Sequence, residues 1–77
     1  MDANIYFDEG HVSVKGLKTI TINTIIQGEI STKVLSVENV KDGLTLEHLN
    51  STYVFTGTNT VAVLGKKIRF IDFFSKD

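Results

Sequence analysis

His11 and His48 are the only histidines of a 77-residue chain that has no cysteine. Any metal or acid–base chemistry therefore has to be built on them, because an imidazole can ligate a metal through one ring nitrogen or exchange a proton near neutral pH. The carboxylates at hand are Asp8 and Glu9 before His11, and Glu47 beside His48. Neighbours on a strand project to opposite faces, so Glu47 and His48 cannot share an ion or act as a base with its orienting partner. Asp8-Glu9-Gly10-His11 makes a solvated hairpin tip with or without an ion. Ser13, Ser31, Ser36, Ser51 and Ser75 lie in no nucleophile-elbow context, and cysteine nucleophiles are excluded. The expectation is a protein without catalytic residues, metal or cofactor.

Phosphate and nucleic-acid chemistry has one candidate. Gly65-Lys66-Lys67 lacks the Gly-rich loop of a Walker motif, and no two glycines have dinucleotide-binding spacing. Lys66, Lys67 and Arg69 do lie near Phe70, Tyr53 and Phe55 in the sequence pattern, and small barrels bind single strands by combining cations with stacking aromatics. On one strand, however, Lys67 and Arg69 face away from Phe70. A small barrel that binds single-stranded nucleic acid or a nucleotide-like ligand through Lys66, Lys67, Arg69 and Tyr53 is thus the alternative reading, behind a solvated charged face beside core phenylalanines.

Composition narrows the partners further. A formal charge of −1 gives no global field toward nucleic acid or an anionic membrane. Met1-Asp2-Ala3-Asn4 has neither the basic nor the apolar region of a secretory signal, and no apolar run nears the roughly 20 residues that span a bilayer. Asn50-Ser51-Thr52 matches a glycosylation triplet that also arises by chance. The expected location is the cytoplasm, or a particle assembled there, with no membrane partner. The 42% apolar and 22% charged residues exclude the disordered class, and the length suits one small β-rich domain over residues 1–77.

The elements that must position these side chains are short strands, since β-branched and aromatic residues alternate with turn pairs and proline is absent. Ile5-Tyr6-Phe7 runs into the Asp8-Glu9-Gly10 turn and returns through His11 to Val14. After Lys15-Gly16, residues Leu17 to Ile26 place Ile20 and Ile22 on one face against Thr19, Thr21 and Asn23. Ile25-Ile26 breaks that alternation, through a bulge near Asn23-Thr24 or through cover on both sides. Gln27-Gly28 then turns the chain into Glu29 to Val40, and Asp42-Gly43 into Leu44 to Glu47. A helix over Thr32 to Lys41 is the rival, because Val34, Val37 and Val40 fall three apart. Leu46 to Leu49 suits a single helical turn. Tyr53 to Thr56, Gly57-Thr58-Asn59, Thr60 to Leu64 and Gly65-Lys66 continue as a meander into a last strand. The threonines at 19, 21, 56, 58 and 60 suit the wet side of a sheet. The fold class is all-β with room for one short helical turn: a small antiparallel barrel or sandwich of about five to seven strands joined by tight hairpins.

The last strand carries the functional expectation. Ile68-Arg69-Phe70-Ile71-Asp72-Phe73-Phe74 is apolar on both parities, and a chain this short cannot build a core on each face of one sheet. Either the strand lies in a closed barrel or a second chain covers it. A core of this size supplies at most about 3–5 kcal/mol, and without disulfides a partner subunit is the common reinforcement. The sequence therefore points to a non-catalytic protein-binding or assembly module that forms homo-oligomers and covers a macromolecular surface. Its short, motif-free format is that of accessory, inhibitor or structural proteins of phages and mobile elements. The interface residues expected are Ile71, Phe73 and Phe74, of which the last two cannot both pack in the chain's own core, followed by Tyr6, Ile25 and Ile26.

Overall fold

The structure, a computed structural model, describes residues 1–40, 44 and 50–75. Among them the turn residues divide the chain into strands β1 (Asp2–Phe7), β2 (Gly10–Val14), β3 (Thr19–Ile26), β4 (Glu29–Ser36), β5 (Thr52–Thr56), β6 (Thr60–Leu64) and β7 (Phe70–Phe74). A single helical turn, α1 (Val37–Val40), follows β4, and a 3-10 turn over Gly65–Lys67 precedes β7. All pairings are antiparallel and form two sheets, in the orders β2-β1-β7 and β4-β3-β5-β6. The all-β expectation holds, and of its two architectures the closed barrel is excluded.

Alternation along each strand explains why the two sheets share one core. In the three-stranded sheet the inward rows are Val14–Ala3–Phe73 and Val12–Ile5–Ile71. In the four-stranded sheet they are Leu35–Ile20–Phe55–Val61 and, one row on, Ile22–Tyr53–Val63. Leu17, Val40 and Ile68, from the connections, complete the cluster.

Two connections differ from the expected hairpins. Lys15-Gly16 has the glycine at φ 60° as a tight turn requires, but it passes the chain from one sheet to the other. That crossing is fixed by hydrogen bonds: Gly16 N donates to Asp2 Oδ1 (2.9 Å), Lys15 N to Asn59 Oδ1 (3.1 Å) and Thr58 N to Lys15 O (2.7 Å). Gly65-Lys66 likewise ends the meander. Instead of pairing with β6, the last strand returns to the first sheet and pairs with β1 from Asp2↔Phe74 to Tyr6↔Phe70.

The expected long strand from Glu29 stops at Ser36, where polar groups redirect it. Ser36 N and Oγ both donate to Asn39 Oδ1 (2.9 and 3.0 Å), the reciprocal half of a capping box with Asn in place of Glu. Val40 is thereby turned into the core. The strand and helix readings of Thr32 to Lys41 each hold for one part of that range. Asp42-Gly43, the return strand apart from Leu44, and the helical turn with Glu47 and His48 lie outside the described residues.

Tyr53 is wholly buried, and its hydroxyl has no hydrogen-bond partner among the described residues. A hydroxyl taken from water without a partner costs free energy. Tyr53→Phe is therefore expected to leave stability unchanged or to raise it by about 1 kcal/mol, read from the urea midpoint. A loss of more than that would mean the hydroxyl is satisfied.

Candidate interaction surface

The β3–β4 hairpin is built locally. Gln27 and Gly28 sit at φ 50° and 82°, the two positive values of a type I′ turn, and the register runs unbroken from Ile26↔Glu29 to Thr19↔Ser36. β5 pairs with β3 only from Thr19 to Asn23. The end of the hairpin beyond Asn23 thus projects past the sheet as an arm.

Its outward face joins Ile25 directly to Ile30, and Thr21 to Val34. Ile25 and Ile30 are each 72% exposed and Val34 60%. Ile26, on the other face of the arm tip, is exposed as well. Neither expectation for Ile25-Ile26 is met: there is no bulge, and the chain covers neither side chain. Between the apolar positions Thr32 Oγ1 donates to Asn23 Oδ1 (2.8 Å), and on the inward face Thr24 and Ser51 hydroxyls meet at 2.6 Å. Among the described residues β4 is an edge strand of eight residues, without proline or bulge, and no strand pairs with its outer row of backbone groups.

Ile30 and Val34 were not among the interface residues expected from the sequence. Their signal was there: Ile25 and Ile30, like Thr21 and Val34, are mirror positions about Gln27-Gly28, and a two-residue hairpin places mirror positions side by side on one face.

The C-terminal strand has one face in the core and one outside it. Ile71 and Phe73 face inward and pack against the core, while Phe70, Asp72 and Phe74 take the outward parity. Phe74 is half-buried and Phe70 55% exposed. Ile68 is buried, but ahead of the strand. Tyr6 lies between Phe70 (ring centroids 4.3 Å apart, planes 13°) and His11 (5.0 Å, 29°), so one aromatic row crosses β7, β1 and β2. Below it Ser13 Oγ donates to Asn4 Oδ1 (2.6 Å).

The basic residues do not form one surface with Tyr53 and Phe55. Arg69 pairs with Asp8, and its hydrogen bond holds the Asp8 carboxyl below the usual carboxylate range. Lys66 and Lys67 are exposed on the 3-10 turn and line an open cleft opposite Asp8, Glu9 and His11. Tyr53 and Phe55, expected as partners of these cations, are core residues with no exposed surface. Among the described residues no group of three or more His, Cys, Asp and Glu side chains could hold a metal ion, and no helix is long and apolar enough to cross a membrane. Neither a protein-family model, nor a curated protein, nor a solved structure gives a significant match to the chain.

Proposed function

We propose that the protein is a non-catalytic binding or assembly module that self-associates and acts by covering a macromolecular surface, with the β3–β4 arm as its contact surface. The observation that carries this reading is the uncovered apolar face of Ile25, Ile30 and Val34 on a projecting arm. Fully burying one isoleucine contributes about 1.5–3 kcal/mol, and a partner that covers the cluster gains most of that at Ile25 and again at Ile30. At the other end of the molecule His11 stacks on Tyr6 and Asp8 is paired with Arg69.

The aromatic row favours the second reading, a nucleic-acid or nucleotide-like ligand, because Lys66 and Lys67 lie within the same end of the molecule as His11. Its support is weaker. Tyr6 already spends both ring faces on Phe70 and His11, leaving little flat surface for a base to stack on.

Sedimentation velocity from about 1 to 100 μM, a range that brackets Kd values of weak specific complexes, separates the two. Self-association gives a mass that rises with concentration for the wild type and stays at that of the 8.5 kDa monomer for Ile25→Lys with Ile30→Lys, at unchanged circular dichroism. A monomer throughout, with a labelled oligonucleotide shifted in a steeply salt-dependent manner, would reverse the order of the two readings.

A further inference from the structure

Resting on the self-association reading, the geometry points to a defined occupant of the open edge: we infer that β4 pairs antiparallel with β4 of a second copy about a two-fold axis at Thr32, which merges two four-stranded sheets into one of eight strands. A symmetric pair of identical strands is necessarily antiparallel. The hydrogen-bond phase selects which residues can meet. In a two-residue type I′ hairpin the pair next to the loop, here Ile26 and Glu29, exchanges both backbone hydrogen bonds. Glu29, Ser31, Lys33 and Leu35 therefore bond toward β3, and Ile30, Thr32 and Val34 present their N–H and C=O groups to the open edge. Edge pairing must oppose residues of the second set.

Three registers satisfy that phase near the middle of the strand, and they are not equal. Centring the axis on Lys33 sets two ammonium groups directly opposite each other, which is destabilising. Centring it on Ser31 aligns Glu29 with Lys33 of the second copy, but pairs only residues 29–33. Centring it on Thr32 pairs residues 29–35. It sets Thr32 against Thr32, and Ile30 against Val34 of the second copy, twice. Lys33 then faces Ser31 of the second copy, with one Glu29 and one Lys33 at its two diagonals, so the charges cancel. Exposed ion pairs contribute little, whereas each added ladder step brings hydrogen bonds and cross-strand apolar contact. The Thr32 register is favoured on that balance.

The outward face decides for the same pairing. Ile25 and Ile30 of one copy come to lie in one row with Val34 and then Thr21 and Val54 of the other, so apolar side chains exposed in each chain cover one another. Among the described residues no other edge strand offers this. β2, β6 and β7 have five residues each, and β7 presents Asp72 on its outward parity.

Cysteine cross-linking tests the register without background, because the chain has no cysteine of its own. In the Thr32 register a residue at the axis faces its own copy at about 5.5 Å between Cα atoms, within the span of a disulfide. Thr32→Cys should oxidise to a dimer that retains the wild-type circular dichroism, and Ser31→Cys should stay monomeric under the same conditions. Thr32→Pro removes an N–H that points to the open edge and should weaken dimerisation at least tenfold while its far-ultraviolet spectrum is kept. A dimer from Ser31→Cys but not Thr32→Cys would overturn the register. Concentration-dependent mass in the wild type with neither cross-link and no effect of Thr32→Pro would overturn β4 pairing while leaving self-association standing. A wild-type monomer at all concentrations would overturn both and leave the edge to a different protein.

Discussion

Phe55→Ala is expected to unfold the protein at room temperature. The ring is wholly buried in the inward row of the four-stranded sheet, flanked by Ile20 and Val61 and 6.5 Å from the Tyr53 ring. Truncating a buried phenylalanine costs about 3–5 kcal/mol, from lost transfer free energy and the cavity left behind. A chain of this size has a stability of about the same magnitude. The cavity cannot collapse readily either, because Phe55 belongs to an interior strand of its sheet, held between β3 and β6. Circular dichroism and urea titration provide the check. A cooperative transition retained with a loss under about 1 kcal/mol would show that the core is organised elsewhere.

Gly57→Ala is expected to be the most damaging single methyl group. A Cβ at Gly57 would stand 2.8 Å from the carbonyl oxygen of Gly16 and closer still to that of Lys15. Both obstructing atoms are backbone, and that backbone is tied: Thr58 N and Lys18 N donate across the junction to Lys15 O (2.7 Å) and Thr56 O (2.8 Å), while Asn59 Nδ2 donates to Ser13 O (2.9 Å). Overpacking costs about 1–3 kcal/mol where neighbours can give, and here the upper end applies. Gly28→Asn is the matched control, since Gly28 has open space around it and Asn accepts a φ of 82°. A shift in melting temperature no larger for Gly57→Ala than for Gly28→Asn would mean the junction is looser than its hydrogen bonds indicate.

Local chemistry was what the sequence displayed best. The turns at Asp8-Glu9, Gln27-Gly28 and Gly57-Thr58-Asn59 were legible because each needs particular residues for its dihedral angles. Sheet membership was not. Lys15-Gly16 and Gly65-Lys66 carry the same turn chemistry as a hairpin, yet both conduct the chain between sheets, a choice made by the inward faces of strands far away in sequence. The parity of the last strand was legible, as the inward Ile71 and Phe73 illustrate, whereas the use of Phe70 was not, since its partner Tyr6 lies at the other end of the chain. Ile25-Ile26 was the least transparent pair. Adjacent apolar residues indicate burial by local rules, and the short reach of β5 along β3 is what leaves them uncovered among the described residues.

The pairing of β1 with β7 has a consequence in time. Asp2 and Phe74 must find each other across nearly the whole chain, and pairings of such sequence separation confine small β proteins to folding in roughly milliseconds to seconds. A tight hairpin closes in about 1–10 μs. The β3–β4 hairpin, only marginally stable on its own, therefore closes and reopens many times before β7 reaches β1, and Ile25, Ile30 and Val34 stay accessible to solvent throughout, as they are in the finished fold.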